Sequence, residues 1–219
     1  MAGEPAGVIL AGGRASRMGG AGKSHPGKAL LTLNKESLLA HVMRRLQPQL
    51  GLLLLSTEGP DSGLESFGLP LVPDLMPGYR GPLTGLCSAL HYLAEKEPLR
   101  KDRHGGLVLC PCDAPFVPLD LVRKLVSAAV GNPKPVVVVS YEGILQPTFS
   151  LWQNHHLPVI HDAVVRLGDG GLKTILRSLP HVIVEWVSAE PPPFYNVNTP
   201  AELKTAAGWL TRTFHQGGR

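Results

Sequence analysis

Four short, unbroken apolar runs punctuate the chain: Val8–Leu10, Leu52–Leu55, Leu107–Cys110 and Val136–Val139. Runs of this kind, without alternating polar positions, suit strands covered on both faces. Between them apolar residues return at helical spacing, first at Leu39, Val42, Met43 and Leu46, then at Leu83, Leu86, Cys87 and Leu90, then at Val122, Leu125, Val126 and Ala129. Each set predicts a helix with one face on a core. Strand and helix alternate, which is the pattern of an α/β fold with a mostly parallel sheet. Pro82 and Pro118 can each occupy a first helical position, and Thr199-Pro200-Ala201-Glu202 has the spacing of a capping box. Beyond it Leu203, Ala206, Ala207, Leu210 and Phe214 form an apolar stripe, predicting a last helix docked on the sheet.

The segment that follows the first run carries the strongest chemical signal. Ala11, Gly12 and Gly13 make a small-residue turn, and Arg14, Arg17, Met18, Gly19, Gly20 and Lys28 come after it. Glycines let backbone N–H groups approach an anion closely, while fixed cations neutralise the charge gathered there. Strand, turn and cations together read as a polyphosphate cradle for a nucleoside triphosphate. Gly22-Lys23-Ser24 imitates the end of a P-loop, but that motif needs a glycine where Arg17 stands, and the dinucleotide pattern fails because Arg14 follows Gly12 by two.

Composition narrows the partners. At 219 residues, 43% hydrophobic and 17% charged, the chain fits one globular domain, 1–219, able to bury a core without disulfides. Its net charge of +4 is spread without a basic block, and aromatics are only 5%, which favours an anionic small molecule and argues against nucleic acid. Apolar runs fall far short of the roughly 20 residues a membrane span needs, and the start shows no cationic segment ahead of an apolar one. Cys87, Cys110 and Cys112 are an odd number without metal-ligand spacing, as expected of reduced thiols in a cytoplasm.

In an open α/β sheet a ligand sits beyond the carboxyl ends of the strands, so polar residues just after apolar runs carry the most weight. Asp113 follows the Leu107–Cys110 run between Pro111 and Pro115 and is the candidate magnesium ligand, with a turn or capping aspartate as the alternative. Asn196 and Asn198 lie on one side of an extended segment before the last helix, where Asn198 faces phosphate or metal-bound water, or else serves the turn. Asp74 ends another short apolar segment and offers a carboxylate to a purine's N–H groups. The nine histidines are dispersed, and Arg166, Lys173 and Arg177 read as a solvated helix face.

Taken in order, these motifs resemble the molybdenum cofactor guanylyltransferases, or molybdopterin-guanine dinucleotide synthases, within the nucleotidyltransferase group. The resemblance runs nearly end to end through Leu10-Ala11-Gly12-Gly13, Arg17-Met18-Gly19-Gly20, Gly27-Lys28-Ala29-Leu30-Leu31, Asp74, Gly81-Pro82-Leu83, Cys110-Pro111-Cys112-Asp113 and Asn196-Val197-Asn198-Thr199-Pro200. It implies a three-layer Rossmann-like fold with helices on both faces of the sheet, of the nucleotide-diphospho-sugar transferase type. It further implies transfer of GMP from GTP to the terminal phosphate of the molybdenum-molybdopterin cofactor, with Mg²⁺ as metal and cofactor-delivery proteins as partners. By that resemblance Leu10, Ala11, Gly12, Gly13, Lys28, Ser56, Asp74 and Asp113 bind GTP, Asp113 binds the metal, and Arg17, Lys28 and Asp113 carry the electrostatics of catalysis. About five extra residues separate Gly20 from Lys28, so Lys23 competes for the lysine role, and the downstream Leu30-Leu31 favours Lys28. Gly27 and Ser56 replace an aspartate and an asparagine common in the family. Related cytidylyltransferases carry alanine where Gly12 stands, which favours guanine. The rival readings are a nucleotidyltransferase using CTP or another phosphorylated acceptor, and a GTP-binding adaptor without catalysis.

Overall fold

A computed structural model describes residues 4–13, 27–59, 63–76, 81–96, 105–131, 135–168 and 171–216. The elements run β1 (Ala6–Leu10), β2 (Thr32–Leu33), β3 (Glu36–Ser37), α1 (Leu38–Leu46), β4 (Leu52–Thr57), β5 (Leu71–Pro73), α2 (Pro82–Lys96), β6 (Leu107–Pro111) and α3 (Leu121–Ala129). They continue with β7 (Val136–Tyr141), β8 (Ile144–Trp152), α4 (Leu157–His161), α5 (Leu172–Ser178), β9 (His181–Trp186) and α6 (Pro200–Gln216). Each of the four apolar runs is a strand, and each of the three helical periodicities is a helix.

Seven strands form one sheet in the order β5-β4-β1-β6-β8-β7-β9. Strands β4, β1 and β6 pair in parallel, as do β5 with β4 and β9 with β7, while β8 runs antiparallel to both β6 and β7. Side-chain alternation divides the core. Ile9, Leu55 and Cys110 face α1 and α3, and Val8, Leu54 and Leu109 face α2, α4 and α5. Both faces are therefore dry, which is why these strands read as continuous apolar runs.

Local chemistry fixes the connections. The Ser37 hydroxyl accepts from Ala40 N at 3.1 Å and caps α1. The β2–β3 hairpin turns through Asn34 and Lys35, and the β7–β8 hairpin through Glu142 and Gly143, all at positive φ, matching the two-residue turns that suit strand twist. Strand β8 has no clean sequence signal because Pro147 interrupts it. The ladder tolerates the proline at an irregularity, where the register with β7 jumps between Val138 and Val139.

Three expectations need correction. Pro118 does not begin a helix; α3 starts at Leu121 after Asp120, and Pro118 instead offers its carbonyl to Leu121 N at 3.3 Å. Helix α6 does not dock on the sheet, because α1 and α3 already cover that face. It packs through Ala206 into a separate cluster with Leu33, Leu38, Phe116 and Val197, while the side chain of Phe214 lies outside the described residues. Its capping box is also displaced: Glu202 N donates to Thr199 Oγ1 at 3.2 Å, but the Glu202 carboxylate accepts from Asn198 N at 2.6 Å, one residue before the expected N–H.

Candidate active site

Strand order reverses between β1 and β6, and a cleft opens beyond their carboxyl ends, where α/β sheets hold ligands. Its floor is made by Leu10, Gly12 and Gly13 after β1 and by Pro111, Cys112 and Asp113 after β6. Ser56, Asp74, Gly81, Pro82 and Gly85 line one side; Lys28, Thr148 and Asn196 complete it. The glycine turn and Asp113 thus share one cleft. Arg14, Arg17, Gly19, Gly20 and Lys23 lie outside the described residues.

Backbone hydrogen bonds lock the floor together. Ala11 N donates to Ser56 O at 2.9 Å, Cys112 N to Leu10 O at 3.3 Å, and Val197 N to Asp113 O at 2.9 Å. Ala11 itself turns into the core, so any contact it makes with a ligand is through its main chain. A Cβ on Gly12 would sit 3.1 Å from Glu58 N, a tight contact that would push the turn and the end of β4 apart by a few tenths of an ångström.

Lys28 follows the loop and returns to the turn, its backbone N donating to Gly13 O at 3.3 Å. Its ammonium donates to Asp113 Oδ2 and to Asn198 Oδ1. Three segments far apart in sequence are thereby tied at one nitrogen. An ammonium has three donors, so one remains for a ligand oxygen. Asn198 touches Lys28 and not the cleft wall, whereas Asn196 lines the cleft with its Oδ1 buried and unpartnered among the described residues.

Asp113 is 8% exposed. Burial pushes its carboxyl above the ordinary range, opposed first by the charge of Lys28 and then by the hydrogen bond from it. Oδ1 is buried and has no partner among the described residues. Among the described residues no three His, Cys, Asp or Glu side chains gather into a metal cage. A lone carboxylate with a free buried oxygen still fits Mg²⁺, which often takes one or two carboxylates and completes its shell with phosphates and water.

Asp74 stands at the other end of the cleft, held by its N–H on Thr57 O at 2.9 Å, with Ser56 Oγ 3.4 Å from Oδ1. Burial raises its carboxyl to about 6, against the Ser56 hydrogen bond that lowers it and with the charge of Glu58 adding to the rise. Cys110 and Cys112 are buried packing residues whose thiols burial pushes upward, as the sequence suggested.

Gly85 and Thr148 escaped sequence reasoning. Gly85 did carry a signal: glycine inside a helix is unfavourable, and here a Cβ would lie 2.5 Å from Ser56 Oγ and 2.6 Å from Leu10 Cδ2. Only glycine lets α2 press against the ends of β1 and β4. Thr148 sits beside the irregular part of β8, which has no local signature.

Residues 7–182 match the MobA-like NTP transferase domain. The chain is 35% identical over 208 residues to the molybdenum cofactor guanylyltransferase of Mesorhizobium japonicum, covering 94% of this chain and 95% of that protein. It is 36% identical over 204 residues to that of Cupriavidus pinatubonensis, covering 91% and 94%. Among solved structures it is similar to molybdopterin-guanine dinucleotide biosynthesis protein A of Archaeoglobus fulgidus, with a TM-score of 0.72 at 19% identity over 94% of this chain and 99% of that one. A manganese complex of a Mycobacterium tuberculosis protein gives a TM-score of 0.67 at 20% identity over 95% and 100%. These structural likenesses are ones of fold.

Proposed function

This chain belongs to the MobA-like NTP transferase family, and from that premise we propose that it transfers GMP from GTP to the terminal phosphate of the molybdenum-molybdopterin cofactor. The observation that supports this most directly is the convergence of the Gly12-Gly13 turn, Lys28, Asp74 and Asp113 on one cleft. A terminal phosphate oxygen of the pterin attacks the α-phosphorus of GTP. A new P–O bond forms to that oxygen, the bond between the α-phosphorus and its bridging oxygen breaks, and pyrophosphate leaves with the electron pair.

The attacking phosphate is anionic near neutral pH, so no protein nucleophile is needed. What the protein supplies is alignment and charge. Backbone N–H groups of the glycine turn bind the polyphosphate, Lys28 neutralises negative charge growing on the leaving group, and Arg17, outside the described residues, is assigned the same task. The Asp74 carboxylate accepts from guanine N–H groups, with Ser56 beside it. Asp113, through its free Oδ1, is the residue that would hold Mg²⁺, and the metal when bound supplies a positive charge that polarises the phosphates. Asn198 keeps the Lys28 ammonium in place. The whole of 1–219 acts as one domain in the cytoplasm, a setting consistent with three buried free thiols, and passes its product to delivery proteins.

Incubation with the molybdenum cofactor, GTP or CTP, and Mg²⁺, following pyrophosphate and dinucleotide together, tests the proposal. Equal release of both products with GTP is expected. Pyrophosphate release only with CTP would reassign the base, and GTP binding without any release would make the chain an adaptor.

A further inference from the structure

Helix α2 is buried along most of its length, and Ser88 stands in its middle at 2% exposure, among Leu83, Leu86, Cys87 and Leu90. A hydroxyl there needs a reason, because serine is a weaker helix former than alanine and a buried polar group costs free energy unless it is hydrogen-bonded. The Ser88 Oγ donates to Thr84 O at 2.9 Å, one turn back along the helix, and accepts from Leu75 N at 3.0 Å. The first bond uses the hydroxyl's single proton and leaves its lone pairs for the second. Ser88 thereby reaches out of the helix to the residue after Asp74.

That bond bears on Asp74 itself. Asp74 N donates to Thr57 O at 2.9 Å and Leu75 N to Ser88 Oγ, so the peptide units on either side of the Asp74 Cα are anchored, one to the end of β4 and the other to α2. With both planes held, the two backbone dihedrals that aim the carboxylate are held too. The Leu75 side chain is 47% exposed and adds little grip. Gly85, three residues before Ser88 and so on the same face of α2, is the position whose missing side chain makes room for Ser56 Oγ. One face of the helix therefore sets both Ser56 and Asp74.

Resting on the reading that Asp74 accepts from guanine, we propose that Ser88 is a positioning residue for base recognition, holding the Asp74 carboxylate square to two donors of the base, the ring N–H and the exocyclic amino group. A two-point contact needs both oxygens aligned with the plane of the base, whereas a one-point contact survives a tilt. Without the hydroxyl, Leu75 N loses its acceptor, the segment after β5 shifts, and the second contact is lost before the first. Ser88 thus sets the discrimination between guanine and a purine that lacks the amino group.

Titrations of the full chain with GTP and with inosine triphosphate, which lacks the exocyclic amino group, test this. The wild type should prefer GTP by roughly 10–100-fold, the worth of one hydrogen bond to a charged acceptor. Ser88→Ala, which removes one buried oxygen and adds no volume, should weaken GTP about tenfold and inosine triphosphate at most about threefold, so that the preference narrows. A loss of packing alone would weaken both nucleotides alike. In an Asp74→Asn background the same substitution should change GTP affinity by no more than about threefold, since an amide offers a single acceptor to align. An unchanged preference in Ser88→Ala, or an equal loss with and without the Asp74 carboxylate, overturns the proposal and leaves the guanine reading standing. A wild type that binds the two nucleotides equally overturns both.

Discussion

Replacing Asp74 by Asn removes a carboxyl that the fold holds at a cost and the nucleotide is proposed to use. Burial raises this carboxyl from 3.8 to about 6, which corresponds to roughly 3 kcal/mol of penalty on the ionised form, as an upper bound for a group partly open to the cleft. The sign follows from proton linkage. Below about pH 3 the carboxyl is neutral in folded and unfolded chains alike, and its burial costs nothing extra. As pH rises toward 6 the unfolded chain ionises first, so stability is lost through that window and levels off once the folded carboxyl ionises as well. Asn cannot ionise. Asp74→Asn should therefore match the wild type near pH 3 and exceed it above pH 6.5, by as much as about 3 kcal/mol, each kcal/mol being worth about 2–4 °C in a chain of this size. GTP affinity should move the other way. An amide offers one acceptor where a carboxylate offers two, and losing a hydrogen bond to a charged acceptor costs about 1.5–3 kcal/mol, or roughly 10–100-fold in Kd. Wild-type affinity should also fall as pH drops through 6, and that of Asp74→Asn should not. Thermal melts between pH 3 and 8 and GTP titrations between pH 5 and 8 decide the matter. A stability gain equal at all pH values would refute the burial argument, and unchanged GTP affinity would refute the role given to Asp74.

Asp113→Ala should lower turnover with Mg²⁺ roughly 10²–10³-fold with a smaller effect on nucleotide affinity, whereas Lys28→Ala should weaken both. Steady-state kinetics separate the two, and wild-type kcat/KM in both variants would remove these residues from the catalytic electrostatics. Gly85→Ala, whose Cβ would meet Ser56 Oγ at 2.5 Å, should cost about 1–3 kcal/mol by overpacking and raise KM for GTP as α2 shifts from the cleft; an unaltered melt would show that the helix yields freely. Ser37→Ala should cost about 1 kcal/mol through the lost cap of α1, seen in denaturant midpoints, with kcat unchanged.

The parts of the fold legible in the sequence are those whose signal is local. Val8–Leu10 and Val136–Val139 are apolar throughout because both faces of the sheet are covered, and Leu39, Val42 and Leu46 return at helical spacing because α1 buries one stripe. Strand β8 stays hidden because its pairing partners, and not its own pattern, make room for Pro147. The last helix misleads for a related reason: the stripe of Leu203, Ala206 and Leu210 predicts a docking partner without saying which, and the sheet face was already taken. Residues adjacent to strand ends could be placed at the cleft by rule, and Asp113 and Asp74 do line it. Gly85 could not be placed by rule, since its importance rests on Ser56 and Leu10 standing where its side chain would be.

The arrangement of charge in the cleft carries a consistent logic. Asp113 and Asp74 are both raised by burial, but among the described residues Asp113 is met by a cation, Lys28, and Asp74 is not, so the two carboxylates suit different partners. One side of the Asp113 carboxylate already balances Lys28, and its unpartnered Oδ1 leaves a desolvation cost that a cation arriving with the triphosphate would offset. Among the described residues Asp74 has one hydrogen-bonding side chain beside it, the Ser56 hydroxyl at 3.4 Å, an environment that neutral N–H donors of a base would complete without introducing charge. The proposed ligand, a triphosphate with its metal at one end and a purine edge at the other, would answer both needs at once. Satisfying either carboxylate alone would leave the other as an uncompensated buried group, which makes recognition of base and phosphates interdependent across the cleft.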